Sequence, residues 1–254
     1  MNGKKYLLIT GMVAFLICLV AGSIFNTLAF WSDLEGMSFW GYPEVTSFDS
    51  NLDSDIKITN LNCPILISSK ENSEITANFK NLKDIDSSSF IQANISMPDV
   101  DEELVRDKQV VTFSPGESQE LTWPVSSENK LENNKILARI FVQQTRNSPP
   151  ARTKHCGIMV WDIGNLRGSQ LTTIILLFSV IGMVLGLSLW YIGSSKTMRR
   201  TNRILKLMIW IGMVLCLGLI FNILGIWLIS GIMSILSIIL FISIIENYFL
   251  SKVS

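Results

Sequence analysis

The stretch that decides the fold is Leu207–Ile245, LMIWIGMVLCLGLIFNILGIWLISGIMSILSIILFISII, which contains 39 residues without a charged side chain. A bilayer core about 30 Å thick is crossed by about 20 helical residues. The stretch is therefore too long for one crossing and has the length of two. Its turn is predicted near Ser230 and Gly231, between helices over Leu207–Leu228 and Ile232–Phe249.

Two further apolar stretches have the length of a single crossing. Tyr6–Phe30 contains 25 residues without a charge, and Leu171–Ile192 contains 22. Because backbone hydrogen bonds must close within a membrane segment, helices are expected here. Charged residues make up 17% of the chain, against about a quarter in soluble domains. We therefore predict a membrane protein with four transmembrane α-helices.

Lysine and arginine predict the orientation of these helices. Basic residues precede the first predicted span, follow the last, and crowd the loop between the second and third: Lys4, Lys5, Lys252, and Lys196, Arg199, Arg200, Arg203 and Lys206. Cytoplasmic loops have an excess of such residues. With an even number of spans, all three groups lie on the cytoplasmic side. We therefore expect a multi-pass protein of the cell membrane, with both termini cytoplasmic and residues 32–168 extracytoplasmic.

The distribution of charge agrees with this orientation. The formal net charge is zero, but Ser32–Gly168 contains 20 acidic and 13 basic residues, a net charge of −7, and the rest of the chain carries +7. A nucleic-acid backbone requires a basic face, so nucleic acid is not expected as a partner. The expected partners are the lipid bilayer and other membrane or surface proteins.

These features divide the chain into seven segments. They are an N-terminal transmembrane anchor (1–31), a membrane-proximal linker (32–55), an extracytoplasmic β domain (56–168), a second transmembrane helix (169–193), a basic cytoplasmic loop (194–206), a helical hairpin (207–250) and a cytoplasmic tail (251–254). The first segment could instead be a cleaved signal peptide, with Ala21-Gly22-Ser23 as its cleavage site. Its apolar run exceeds the hydrophobic region of a signal peptide, which has about 7–15 residues, and this favours an uncleaved signal-anchor.

The β domain is predicted from short β-type runs that are separated by turn residues. The predicted strands are Ile56–Thr59, Pro64–Ser68, Glu74–Asn81, Phe90–Met97, Gln109–Phe113, Gln119–Val125, Ile136–Gln143 and Gly157–Asp162. Seven or eight such strands in about 110 residues are typical of an antiparallel β-sandwich. In Ile136–Gln143 both alternate sets contain apolar residues, so the pattern does not identify its inner face.

Two stretches resemble the immunoglobulin-like modules of bacterial surface and membrane proteins. Val111–Val125, VTFSPGESQELTWPV, is similar to the proline-glycine turn and alternating strand of those modules. Glu74–Asn81 is similar to their preceding strand, which ends in asparagine. The resemblance covers residues 56–163 and implies a fold rather than an activity. Such modules bind partners, act as spacers or cap membrane assemblies, and the composition favours a bacterial source.

Two cysteines of the outer domain, Cys63 and Cys156, are predicted to form a disulfide, because an exported domain folds in an oxidising compartment. Closing a loop of about 94 residues contributes about 4–5 kcal/mol in the chain-entropy model. Two reduced, buried thiols are the alternative. Cys18 and Cys216 lie in predicted spans, where cysteine acts as a small apolar residue.

Small residues recur at helical spacing in the first two spans. They are Ala14, Cys18 and Gly22 in the first, and Gly182 and Gly186 in the second. This spacing lets helix backbones approach closely, within the chain or against a partner. Glycine is also common in membrane helices, so the spacing alone does not establish a contact.

No catalytic, cofactor-binding or metal-binding residues are predicted. His155 is the single histidine. Together with the neighbouring Cys156 it would supply two ligands, fewer than a zinc site requires. The stretch Asp84-Ile-Asp86-Ser-Ser88 lacks the glycine and the final glutamate of a calcium loop at the required positions. It and the second acidic cluster, Asp99, Asp101, Glu102 and Glu103, are interpreted as solvated turns.

Two asparagines are the notable polar residues of the predicted spans. Asn26 and Asn222 are expected to form an inter-helix hydrogen bond, and a transport path is the alternative. The spans contain no Asp, Glu, Lys, Arg or His before Glu246. The leading hypothesis is therefore a non-enzymatic accessory or scaffold subunit that uses its outer domain for protein contacts. The alternatives are a surface receptor or adhesin, and a transporter component.

Overall fold

The computed structural model describes residues 2–40, 55–98, 105–143, 152–194 and 199–253. The chain divides into two compact units. The first, here called the helix unit, comprises Met1–Phe30 and Thr172–Ser254. The second, the β unit, comprises Trp31–Leu171.

Four helices account for the apolar stretches: α1 (Asn2–Phe39), α2 (Gly168–Gly193), α3 (Arg199–Ile223) and α4 (Trp227–Val253). Among the described residues, three segments are long and apolar enough to cross a membrane, namely Gly3–Phe39, Gly168–Gly193 and Leu205–Ile223. Helix α4 contains a shorter apolar segment, Trp227–Ser243. The protein thus combines helices that could span a membrane with a β-sheet domain.

The turn between α3 and α4 lies at Gly225, so its predicted position near Ser230 is wrong. Gly225 has a φ of 69°, a conformation that favours glycine. The Ile226 amide donates to the Phe221 carbonyl and the Gly225 amide to the Asn222 carbonyl, which is the Schellman pattern of a helix end. Ser230 and Gly231 lie inside α4, where Gly231 packs against the ring of Phe30. Their small size serves helix contact instead of chain reversal.

Among the described residues, the β unit contains eight strands in two sheets. The strands are β1 (Ile56–Asn62), β2 (Leu66–Ile67), β3 (Asn72–Asn81), β4 (Ser87–Ile95), β5 (Val105–Phe113), β6 (Ser118–Ser126), β7 (Lys135–Gln143) and β8 (Arg152–Val160). One sheet has the order β1-β3-β6 and the other the order β2-β8-β7-β4-β5. Each predicted strand overlaps one of these eight.

The two sheets share one apolar core. Alternate residues of each sheet contribute to it, such as Ile75, Phe79 and Trp123 from the first sheet and Ile91 and Ile140 from the second. One pairing departs from the predicted antiparallel arrangement, because β2 runs parallel to β8. The chain crosses from one sheet to the other between β1 and β2. No hairpin therefore joins β2 to β8, and their direction is not constrained to be antiparallel.

Strand β7 is buried on both faces because the end of α1 packs on it. Ile136, Ala138, Ile140 and Val142 face the shared core, whereas Leu137 and Phe141 on the opposite face are also buried. Arg139 on that face donates to the Trp40 carbonyl at 3.0 Å. This helical layer explains why the alternation of Ile136–Gln143 did not identify an inner face.

Helices extend past several of the predicted segment boundaries, including that of the tail 251–254, since α4 continues to Val253. Helix α1 continues through Phe39, so the first part of the predicted linker 32–55 is helical, and residues 41–54 lie outside the described ranges. Helix α3 begins at Arg199, inside the predicted loop 194–206. In both places the apolar run is shorter than the helix, because packing or a polar first turn extends a helix beyond its apolar part.

Candidate functional site

A cluster of buried polar side chains lies in the helix unit, around Asn26 of α1. The Asn26 amide nitrogen donates to Ser234 Oγ at 2.6 Å. Its side-chain oxygen accepts from Asn222 Nδ2 at 2.8 Å and from Ser230 Oγ at 3.1 Å. Asn222 lies on α3 and both serines lie on α4, so Asn26 connects three helices. All four residues are buried.

Glycine makes room for this cluster. A Cβ atom at Gly218 of α3 would lie 2.9 Å from Asn26 Nδ2, closer than non-bonded atoms tolerate. The inter-helix hydrogen bond predicted for Asn26 and Asn222 is present. The two α4 serines were not expected to take part, since serine is frequent in apolar helices and its position relative to Asn26 depends on the turn at Gly225.

Replacing Asn26 by alanine is expected to destabilise the helix unit by about 1–2 kcal/mol, near the upper end of values for inter-helix hydrogen bonds in membranes. The substitution leaves the Asn222 amide and two serine hydroxyls without the partner they share. Thermal unfolding in mild detergent measures the effect. Ser188→Ala is the control, because its hydroxyl donates within α2 to Val184 and is exposed. Equal melting temperatures for the two variants would argue against a stabilising role of the cluster.

Small residues line the contact between α1 and α2. A Cβ at Gly182 would collide with the Cys18 side chain, and one at Gly22 would lie 3.1 Å from Ser179. At Gly186 the nearest atoms are the backbone nitrogen of Phe15, at 2.7 Å, and the carbonyl oxygen of Gly11, at 2.8 Å. The structure thus brings Cys18, Gly22, Gly182 and Gly186 into one helix contact. Ala14 is half-buried, and Gly11 is an additional member of the contact that the spacing analysis missed.

The Cys63–Cys156 disulfide is present in the β unit. Cys63 directly follows β1 of one sheet, and Cys156 lies within β8 of the other. The bond therefore links the two sheets covalently. Cys18 and Cys216 are free thiols.

The residues of α1 after Trp31 pack on β8 beside the disulfide. The Gly157 amide donates to the Asp33 carboxylate at 2.9 Å. A Cβ at Gly157 would collide with the Ser32 carbonyl, and one at Gly36 would lie 2.9 Å from the Cys156 carbonyl oxygen. The backbones of helix and strand therefore touch at positions where a side chain has no space.

An ion pair lies at the edge of this contact. Lys135 Nζ of β7 lies 2.6 Å from Glu35 Oε1, and the Asn133 side-chain amide donates to Glu35 Oε2 at 2.9 Å. Lys135 is largely buried and Glu35 partly so, which makes the pair less screened than one on an open surface.

Replacing Gly157 by alanine is expected to release residues 31–39 from the sheet, at a loss of about 1–3 kcal/mol, because the added methyl group overlaps the Ser32 carbonyl. Hydrogen–deuterium exchange is expected to become faster in residues 31–39. Amides of β3, which belongs to the other sheet, provide the internal control. Unchanged exchange in residues 31–39 would contradict the packing described here.

His155 lies on β8. Burial, and secondly the positive charge of Arg139, lowers the pKa of His155 from 6.5 to about 4. The imidazole is therefore neutral at physiological pH. Among the described residues, no group of three or more His, Cys, Asp or Glu side chains is placed to hold a metal ion.

The remaining predicted residues are scattered. Arg199, Arg200 and Arg203 lie on α3, and Lys206 is exposed on the same helix, whereas Lys196 lies outside the described ranges. Asp84 and Asp86 are exposed in the connection from β3 to β4. The cluster Asp99, Asp101, Glu102 and Glu103 also falls outside the described part of the chain.

Two interactions of the β unit had no sequence signal strong enough to predict them. Asp107 of β5 accepts from the Trp123 indole at 2.9 Å, which connects the sheets and places a charge on the inner side of an edge strand. Asn81 donates to the carbonyls of Ile85 and Ser114, at 2.8 and 3.1 Å, and so holds two turns together. For the Asn81 interaction, the sequence signal was limited to an asparagine at the end of a predicted strand.

The sequence matches no protein-family model and no curated protein. Among solved structures, the chain is similar to a CARDB domain from Pyrococcus furiosus, with 15% identity and a TM-score of 0.34, over 42% of this chain and 88% of that domain. It is also similar to β-glucosidases from Listeria innocua and Bifidobacterium adolescentis, at 20% and 13% identity, both with a TM-score of 0.29. The matches cover 42% and 41% of this chain, but 16% and 17% of those enzymes.

Proposed function

We propose that this protein is a non-enzymatic accessory or scaffold subunit of the cell membrane, whose immunoglobulin-like β-sandwich contacts other membrane or surface proteins. The observation that carries the proposal is that the buried polar side chains around Asn26 hydrogen-bond one another across three helices. These hydrogen bonds stabilise a packed bundle. A transporter component needs polar groups that line a path instead.

The proposed topology has four spans, an uncleaved first helix, cytoplasmic termini and an extracytoplasmic segment 32–168. The basic residues at both ends and between α2 and α3 support it, as does the Cys63–Cys156 disulfide, which an oxidising compartment favours. This topology presents the β unit to partners on the outer side of the membrane.

The β3–β4 connection offers a surface for such contacts. Leu82 and Ile85 expose 55% and 63% of their surface, although the Asn81 hydrogen bonds hold this connection in place. Apolar side chains presented on an ordered turn lose little conformational freedom on binding, which favours protein contact.

Site-specific photo-crosslinking in the native membrane tests the proposal. A photoreactive residue at Leu82 or Ile85 of the full-length chain is expected to give discrete adducts with another protein. The same residue at Lys57, which is exposed on β1, is the control and is expected to give none. A protein that stays monomeric in mild detergent and forms no adduct at either apolar position contradicts the proposed role.

A further inference from the structure

A cleft of about 440 Å³ lies in the β unit where the chain leaves β8 and begins α2. Its walls come from residues 68–72 and from residues 162–167. Three exposed charged side chains line it: Lys70, Asp162 and Arg167. Among the described residues, none of the three has an ion-pair partner.

Glu71, the fourth charged residue of the cleft, is already engaged. Its Oε2 accepts from the Gly168 amide at 2.6 Å and from the Ser68 amide at 3.2 Å. It thereby satisfies a backbone donor at the start of α2 and lies at the positive end of the helix dipole. Among the residues that the structure describes, the cleft is left with two cations and one carboxylate that form no ion pair.

The cleft adjoins a helix that is long and apolar enough to cross a membrane. Arg167 directly precedes Gly168, where the candidate span Gly168–Gly193 begins. In the same turn Ile163 and Leu166 expose 49% and 37% of their surface. Exposed apolar side chains next to basic ones are typical of segments that lie among lipid headgroups.

We propose that this cleft binds the headgroup of a phospholipid that carries a primary ammonium group, of the phosphatidylethanolamine type. Lys70 and Arg167 bind the phosphate, since both donate charge-assisted hydrogen bonds to phosphate oxygens. Asp162 accepts hydrogen bonds from the ammonium group. The pairing of two cations with one carboxylate matches a zwitterionic headgroup better than an anionic one. The inference requires α2 to enter the membrane and is independent of the proposed partner contacts.

Native mass spectrometry of the full-length protein in detergent, with phosphatidylethanolamine, phosphatidylglycerol or phosphatidylcholine added, tests the proposal. The wild type is expected to retain phosphatidylethanolamine best, because the methylated ammonium of phosphatidylcholine cannot donate a hydrogen bond. The double variant Lys70→Gln/Arg167→Gln is expected to weaken this retention about tenfold or more. Asp162→Asn is expected to abolish the preference for phosphatidylethanolamine over phosphatidylglycerol.

The matched control is Lys57→Gln/Lys80→Gln, which removes the same charge from neighbouring exposed residues of β1 and β3. Because all the substituted side chains are exposed, the variants are expected to keep the wild-type melting temperature, which is measured in parallel. Equal retention of phosphatidylethanolamine and phosphatidylglycerol by the wild type would overturn the proposal. So would equal losses of lipid in the two double variants.

Discussion

Replacing Gly186 by alanine is expected to push α1 and α2 apart and to destabilise the helix unit by about 1–3 kcal/mol, as overpacking does in other tightly packed interiors. The new Cβ would lie 2.7 Å from the Phe15 nitrogen and 2.8 Å from the Gly11 carbonyl oxygen. Both are backbone atoms of a helix, so neither can rotate away. Thermal unfolding of the full-length protein in mild detergent measures the loss.

Gly212→Ala is the matched control for this substitution. It makes the same change inside α3, where the nearest atoms to a new Cβ are side-chain atoms at 3.8 and 3.9 Å. Alanine has a helix propensity about 1 kcal/mol better than glycine, so this variant is expected to be neutral or more stable. The two substitutions should thus have effects of opposite sign. A melting temperature that rises in both would show that α1 and α2 do not pack through Gly186.

Replacing both Cys63 and Cys156 by serine is expected to destabilise the β unit by about 4–5 kcal/mol in the chain-entropy model. The bond joins the residue after β1 to β8, and these strands belong to different sheets. Without it, the two sheets are held together by their shared apolar core and by polar contacts such as that of Asp107 with Trp123. Limited proteolysis of the full-length protein, with urea titration, reports the change.

Reduction provides an independent arm of the same experiment. A reducing agent is expected to make the wild-type β unit as sensitive to protease as the double variant, and to leave the double variant unchanged. Cys216→Ser, which removes a free thiol, controls for the loss of a cysteine as such. If the wild type and the double variant resist protease equally under oxidising conditions, the disulfide does not stabilise this domain.

The local patterns that predicted the strands were those in which one face is buried. In β3, Ile75, Ala77 and Phe79 alternate with exposed or half-buried residues, so the period of two is visible in the sequence. Strand β7 lacks such a period because the β1-β3-β6 sheet covers one of its faces and the end of α1 covers the other. A second buried face removes the polar residues that mark alternation.

The candidate functional residues, too, were predicted only where the sequence contains a recognisable local signal. Cys63 and Cys156 were predicted to pair because both lie in the domain that is expected to fold in an oxidising compartment. Glu71, Lys70 and Arg167 had no such signature. Lys70 and Arg167 are 97 residues apart in the chain, and they share a cleft because β2 pairs with β8 just before α2 begins.

What the sequence by itself determined is the division of the chain into apolar helices and an alternating β domain, since both follow from local composition and period. It also determined the cysteine pair. The tertiary structure alone decided that the end of α1 covers β7 and that Asn26 meets two serines of α4. Each of these depends on close approach between distant segments, and no pattern within a single segment records what will lie against it.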